Sequence, residues 1–473
     1  MSAKTWFGNH KYRGQAWAER DAYQFVFRGL DKIGKDLQLS VNKLPRPYYL
    51  GERKPQTPEE VRAFEAYALG DVYVLWELVH WILGIHRQYD VALSVSLADL
   101  CGKIFRKKFV TSSIRPTHSA ITIAALYSYH GGKTELYEPY PRIVKNIHEY
   151  DIVSAYPFAM TQIGNFFDYS IEEWQPGQPI VNDGLYNVTG EITCQYQPLY
   201  THTFQRLSVL SHTWVTGWEL NSAKDCFKGI VHEGYVMISH YGKHENGLEN
   251  YIWHFFEKKQ LADQSKNISE RLIAKLAMNA LYGKFISRIM EEDVGDEELW
   301  RGGVIFHPLV ATLITGFVRS YVHKIEHVCQ SIHTSTDAFI TQHPTLDTHF
   351  PGLHGLGQLK REYQGDVLLV RPKVYVIFDQ IRVNCHHKFD ITENDIVFCT
   401  YCQGRVLKSA THGFFGSTQM LLNMWKGGQT NYIVRRMIKL REAKHRRDPE
   451  LHPFVFMPQR RTLKVDWSQL TYR

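Results

Sequence analysis

Two aspartates stand where metal chemistry could be done. Asp151 closes the apolar run IVKNIHEY and opens DIVSAYP (151–157), while Asp337 closes TSTD (334–337) in a turn between IHT and AFIT. Neighbouring strands of one sheet could bring both carboxylates to one point. Phosphoryl transfer assisted by two divalent cations needs acids that hold the ions about 3.5–4 Å apart. Taken singly, each is an ordinary turn acid; taken together around the helical segment between them, metal ligation is the better reading. That segment is KLAMNALYG (275–283). Lys275, Asn279 and Tyr282 fall at i, i+4 and i+7, with Arg271 one turn earlier, so all four share one helix face. Two cations suit a triphosphate, Asn and Tyr suit a sugar and a base, and Gly283 permits close backbone approach. The plain alternative is an amphipathic surface helix with Ile273, Leu276 and Leu281 as its core side.

In this order the three segments resemble motifs A, B and C of family-B DNA polymerases, in the small protein-primed branch of phages, adenoviruses and linear plasmids. Further matches are YHGG (129–132) for the family's Y-x-G-G, TGFVR (315–319) for T-x-x-x-R, and KVY (373–375) for K-x-Y, with GQLKRE (357–362) ahead of it. Each is weak alone; their order from Tyr67 to Tyr375 covers most of the chain. The resemblance implies template-directed DNA synthesis from dNTPs with two Mg²⁺ ions, or Mn²⁺, held by Asp151 and Asp337. Nucleotide contacts are implied for Ser154, Tyr156, Arg271, Lys275, Asn279 and Tyr282, Tyr156 lying under the sugar and excluding a 2′-hydroxyl. DNA contacts are implied for Tyr129, Gly131, Gly132, Gly283, Thr315, Arg319, Lys373 and Tyr375. The implied partners are primer–template DNA and a terminal protein serving as primer, with a monomer favoured and no membrane.

The fold class expected is α+β, a right hand of palm, fingers and thumb. An exonuclease-like remnant is expected over 1–91, palm over 92–165, and a terminal-protein-region-like insertion over 166–250. Fingers follow over 251–285, a short second insertion over 286–307, palm again over 308–410 and thumb over 411–473. Tyr67 and Asp71 (YALGD) resemble the third motif of a 3′–5′ exonuclease with a ribonuclease-H-like fold. The residues before Tyr67 contain no D-x-E, so no exonuclease is expected from this chain alone. A late start, a split gene and true loss stay open. Motif C reads Ser335-Thr336-Asp337 where the family has D-T-D, which should weaken metal binding. Two alternatives therefore stand beside an active protein-primed enzyme: a catalytically dead relative that only binds primer–template or terminal protein, and an enzyme that extends ordinary primers.

The elements that must position these groups are legible in the periodicity. TPEE opens a helix over 57–86 with one buried face. A strand running into a turn occupies 143–157, β-like stretches fill 183–240, two helices meet near 263–267, and Pro308–Cys329 is helical. Strands follow at 331–341 and 355–383, then a helix over 419–447 and a basic strand at PQRRTLKV.

Across 473 residues, 44% hydrophobic and 13% aromatic, a real core is affordable and global disorder is excluded. The net charge of +7 suits an anionic partner, and seven Lys or Arg against the single Glu442 between 431 and 447 suit a phosphate-tracking surface. Seven scattered cysteines and an N-terminus without an apolar leader point to an intracellular, reducing compartment. No run has the uninterrupted apolar length of a membrane span. Cys385, His386, His387, Cys399 and Cys402 could hold zinc or be plain hairpin residues.

Overall fold

The computed structural model describes residues 7–379 apart from 13–14, 27–28, 51–52, 111–113, 115–118, 139–141, 203, 205, 241–246, 295–296, 354, 372–373 and, beyond 379, the strands given below. The chain divides into two compact units, residues 1–114 with 244–284, and 115–243 with 285–473. The expected α+β class is the class found.

The first unit opens with a hairpin of β1 (Phe7–Tyr12) and β2 (Gln15–Arg20), which the sequence reading missed. Helices α1 (Leu30–Asp36), α2 (Pro58–Tyr89) and α3 (Leu97–Lys108) follow, and α7 (Gly247–Gln264) and α8 (Ile268–Leu281) complete the unit. The α2 start obeys its sequence: the Thr57 side chain accepts from Glu60 N–H, Pro58 stands in the first turn, and Glu59 and Glu60 face the helix N-terminus. Val74, Leu78, Ile82 and Ile85 of α2 are buried, as are Leu100, Ile104 and Phe105 of α3 and Tyr251 and Phe255 of α7. Each such side chain contributes about 1.5–3 kcal/mol. The Tyr251 hydroxyl finds the Ala277 carbonyl at 3.1 Å and so ties α7 to α8.

By length and composition α2 is long and apolar enough to cross a membrane, with a best-window mean hydropathy of 1.4. The reading had looked for an unbroken apolar run, whereas here Glu65, Asp71 and Glu77 interrupt one. Core helices pass the same test, and one face of α2 is core. Its outer face exposes Leu69, Val72, Tyr73 and Trp76.

The second unit is built on a seven-stranded antiparallel sheet. Its strands are β3 (Thr134–Leu136), β4 (Arg142–Ile152), β11 (His333–Ser335), β12 (Ala338–Thr341), β13 (Leu359–Arg371), β14 (Val374–Asp379) and β15 (Asn384–His387), in the order β15-β14-β13-β4-β12-β11-β3. In the central β4, Ile147, His148, Glu149, Tyr150 and Ile152 are all buried. Short helices α4 (Ser119–Ser128) and α5 (Ala155–Met160) pack against α9 (Pro308–Cys329).

Within residues 166–250, β5 (Tyr169–Glu173), β6 (Gly184–Ile192), β7 (Val209–Thr216) and β8 (Phe227–Ser239) form a four-stranded sheet with α6 (Gly217–Ser222). Tyr186, Val188, Leu199, Leu210 and Val215 make its core. Cys194 and Cys226 are joined there as a disulfide with Cα atoms 5.3 Å apart. Residues 286–307 hold a small hairpin of β9 (Arg288–Val294) and β10 (Glu297–Gly302).

Beyond residue 390 lie two hairpins, β16 (Ile396–Cys399) with β17 (Gly404–Leu407), and β18 (Asn431–Lys439) with β19 (Phe454–Thr462). The helix expected over 419–447 is therefore replaced by strand over 431–439. The run YIV there favours the pleated form, and the basic strand supplies a partner. Cys385, His386 and His387 sit on β15 and Cys399 on β16, in different sheets, while Cys402 lies outside the described residues.

The buried start of α9 carries a pH dependence. His307 caps the helix by accepting from Val310 N–H through Nδ1 at 3.4 Å, and its Nε2 lies 3.3 Å from the Tyr169 hydroxyl. Burial pushes His307 down to about 3. Burial, with the neighbouring His327, does the same to His323. The unfolded chain takes up protons on these histidines below about 6.5, which the native chain refuses until near 3, so stability must fall as pH drops through that window. The slope reaches about 1.4 kcal/mol per pH unit for each histidine. His307→Asn keeps a capping acceptor without a titrating group and should flatten the decline. Melting temperatures of both proteins from pH 7.5 to 4.5 test this; parallel curves would acquit His307.

Candidate active site

Asp151 is half-buried near the end of β4, paired in register with Ala338 of β12 on one side and Lys360 of β13 on the other. The next residue, Ile152, donates its N–H to the Asp337 carbonyl at 2.8 Å. Val153 N–H then reaches the Gln358 carbonyl, and Gly357 N–H reaches the Val153 carbonyl, both at 2.8 Å. The two acids expected to act together thus stand at the end of β4 and in the turn between β11 and β12, and a backbone bond joins Ile152 to Asp337.

The turn that carries Asp337 is tight. Ser335 pairs with Ala338, leaving Thr336 and Asp337 as a two-residue loop with Thr336 at φ +65°. A β-branched residue in that region is strained by about 1–3 kcal/mol and persists only when its surroundings impose it. Those surroundings are Lys133, whose carbonyl accepts Thr336 N–H at 2.8 Å, and Gly132. A Cβ on residue 132 would stand 2.4 Å from Thr336 Cγ2 and 3.0 Å from the Tyr156 hydroxyl. The Y-x-G-G segment, the motif-A tyrosine and the motif-C turn therefore meet at one glycine.

Beside them, Ser154 adopts φ +55° as the chain turns from β4 into α5, and its carbonyl accepts Phe158 N–H at 2.8 Å. Gly357, at φ +77°, lies against the Phe158 ring, where a Cβ would be 2.4 Å away. The Tyr321 hydroxyl holds the Gly357 carbonyl at 3.0 Å.

The expectation that Thr315 and Arg319 touch DNA gives way to burial. Thr315 is 1% exposed and donates to the Thr312 carbonyl, while Arg319 is 0% exposed. Arg319 Nε meets Glu219 Oε1 at 2.7 Å, and Nη1 donates to the carbonyls of His130 at 2.5 Å and Gly131 at 3.1 Å. The guanidinium holds the Tyr129–Gly132 segment from behind. Tyr129 is buried as well. Tyr375 lies on β14, and Lys373 lies outside the described residues.

The sequence reading missed Lys133, Glu219, Glu326, Thr334 and Gly357. A signal existed: Arg319, His323 and Glu326 fall at i, i+4 and i+7 on an otherwise apolar helix. Such a stripe has to be satisfied inside the core.

In the first unit, Arg271, Lys275 and Asn279 are exposed along one face of α8, opposite the buried Leu272, Met278 and Leu281. Arg271 is paired with Asp263 across the turn from α7. Tyr282 and Gly283 follow the last turn half-buried, and a Cβ on Gly283 would meet no protein atom within 4 Å. On α2, Asp71 is paired with Lys43 at 2.6 Å, and that ammonium lies 4.7 Å from the centre of the Tyr67 ring. Burial works against the charge on Lys43, but the hydrogen bonds and charges of Asp71 and Tyr67 together overcome it and hold its pKa above the ordinary value.

No group of three or more His, Cys, Asp or Glu able to hold a metal exists among the described residues. Asp151 and Asp337, two hard carboxylates, fit Mg²⁺ nonetheless, because that ion takes one or two carboxylates and fills its shell with water and phosphate oxygens.

Residues 54–297 match the family model for DNA polymerase type B, organellar and viral. Two curated relatives, each named "Probable DNA polymerase", come from Podospora anserina (24% identical over 206 residues, 42% of this chain and 17% of that protein) and Agaricus bitorquis (26% over 255 residues, 48% and 31%). The chain thus spans less than a third of the length of these relatives. Among solved structures, phi29 DNA polymerase with primer–template DNA and incoming nucleotides matches at TM-score 0.60 and 17% identity, over 96% of this chain and 82% of that one. The same polymerase with primer–template DNA alone gives 0.61 and 18%, over 81% and 73%.

The crowding at Gly132 is testable. Gly132→Ala should lower unfolding free energy by about 1–3 kcal/mol, as overpacking does. Thr336→Ser removes the Cγ2 that the new methyl strikes, and in the same chain should recover part of the loss. Urea unfolding of the four-member cycle measures the coupling; simple additivity would show that the contact is absent.

Proposed function

The chain belongs to the organellar and viral type B DNA polymerases, and from that premise we propose that it synthesises DNA on a template from deoxynucleoside triphosphates. Asp151 at the end of β4 and Asp337 in the β11–β12 turn, tied by the Ile152–Asp337 backbone bond, carry this reading. They would hold two Mg²⁺ ions, whose chemistry there is to lower the pKa of the primer 3′-hydroxyl and to neutralise the triphosphate. The chain's own groups do the rest. Tyr156, fixed beside Gly132, would bar a ribose 2′-hydroxyl. The exposed cations of α8 would take the triphosphate charge, Arg271 exchanging Asp263 for phosphate, and Asn279 and Tyr282 would face the sugar and base. Tyr129, Gly131 and Gly132 would line the template path, with Arg319 and Thr315 supporting them from the core.

Priming by a terminal protein's hydroxyl, and replication of a viral or linear-plasmid genome inside the cell, complete the proposal. The relatives' family and the four-stranded sheet within 166–250 support it. A binding-only relative is the reading that Ser335 favours, and primer extension decides between them.

Asp337→Ala should abolish primer extension in both Mg²⁺ and Mn²⁺ while changing primer–template affinity less than threefold. As the last acid of motif C it has no substitute. Appreciable extension by the variant would put the metal site elsewhere. Ser335→Asp should lower the Mg²⁺ concentration needed for half-maximal rate.

Degradation of 3′-labelled single-stranded DNA should be undetectable with this chain alone and indifferent to Asp71→Ala. Asp71 already has a cation, and a lone carboxylate cannot hold two ions against their desolvation. Release of label that Asp71→Ala suppresses would overturn this.

A further inference from the structure

We propose that the buried ion pair of Lys133 and Glu326 is a positioning device that sets the register of the Asp337 hairpin and thereby the affinity of the acid pair for divalent metal. The inference rests on the polymerase reading only for its rate arm.

Both side chains are wholly buried, with Nζ and Oε2 2.5 Å apart. Lys133 also donates to the Gln197 carbonyl at 3.1 Å. The other Glu326 oxygen accepts from the Tyr137 hydroxyl at 2.9 Å and from the Thr334 hydroxyl at 2.6 Å. Burial and the Glu326 charge together raise the Tyr137 pKa far above its ordinary value, so the phenol stays a donor. One carboxylate thus joins α9, the Lys133–Tyr137 segment and β11, and the lysine adds residue 197.

A buried ion pair is a poor device for stability, because desolvation offsets most of its attraction. Its directional bonds select one arrangement instead. The hairpin needs that selection: β11 has three residues, and its ladders to β12 and β3 have three pairs each. A one-residue slip in so short a ladder turns every side chain to the opposite face, which would take Asp337 away from Asp151. Thr334, held by Glu326, lies three residues before Asp337, and the Lys133 carbonyl holds the intervening Thr336. The pair therefore grips the hairpin at its base through a side chain and at its turn through the backbone.

The test compares the parent chain with Lys133→Met/Glu326→Gln, a neutral double variant of similar volume, and with Thr334→Val. Mn²⁺ binding is read by electron paramagnetic resonance without DNA, extension rate by single-turnover assay, and folding by thermal melting. Both variants should bind Mn²⁺ at least fivefold more weakly and extend at least tenfold more slowly at fixed metal. Excess Mn²⁺ should restore part of the rate. A merely structural pair would move the melting temperature and leave metal affinity within twofold, and that result overturns the proposal. If the double variant fails to fold, Thr334→Val decides on the same criteria. A parent chain that binds Mn²⁺ but extends nothing removes the polymerase reading and leaves the register inference to be judged on metal affinity.

Discussion

An aspartate placed in a two-residue turn, with a β-branched neighbour at positive φ, is the constraint around which the second unit is organised. Turns of this kind ordinarily recruit Gly, Asn or Asp for left-handed positions. Thr336 occupies one here, so the turn cannot be maintained by its own sequence and has to be imposed. The β4 strand supplies one wall through Ile152 N–H, and Lys133 supplies the other through its carbonyl. Gly132 leaves room for the Thr336 methyl between them. Removing any one of these supports would let the turn relax, and the carboxylate it carries would move with it.

What keeps those supports in place is α9, a helix buried over nearly its whole length yet bearing two buried charges, Arg319 and Glu326. Arg319 reaches the carbonyls behind Tyr129–Gly132 and is neutralised by Glu219. Glu219 is itself held by the Thr216 capping box at the corner of β7 and α6. Glu326, two turns further on, is neutralised by Lys133. Neither pair is a strong stabiliser after desolvation, yet breaking either by removing one partner would leave a bare buried charge. The helix acts as a post from which both flanks of the Y-x-G-G segment are hung, and the four-stranded sheet is attached to the same post through Glu219.

Local order was legible in the sequence where periodicity and capping agree. Helix α9 over Pro308–Cys329, the α7–α8 break and the strands around Asp151 and Asp337 follow from residue spacing alone. Side-chain destination was less legible. Arg319 reads as a DNA ligand in one dimension because TGFVR resembles the T-x-x-x-R element; its burial depends on Glu219, one hundred residues away, a partner that no local pattern reports. Lys133 was passed over because its partner Glu326 lies far along the chain, and Glu326 although it shares a helix stripe with Arg319 and His323. The helix expected over 419–447 failed because basic residues are compatible with either structure, and the pairing of β18 with β19 decided over 431–439.

The balance of charge around Asp151 follows from the same register. Residues directly opposite on antiparallel strands lie on one face with Cβ atoms about 4.5–5.5 Å apart, so Lys360 is the cross-strand neighbour of Asp151 on β13. A lysine there would compete with any cation for the carboxylate. Its ammonium is instead 2.9 Å from Glu362, in an exposed pair two residues along the same strand. Exposed pairs of this kind are worth about 0–1 kcal/mol, so Glu362 draws the ammonium aside without fixing it. The register therefore sets an exposed Lys360–Glu362 pair on the strand beside Asp151.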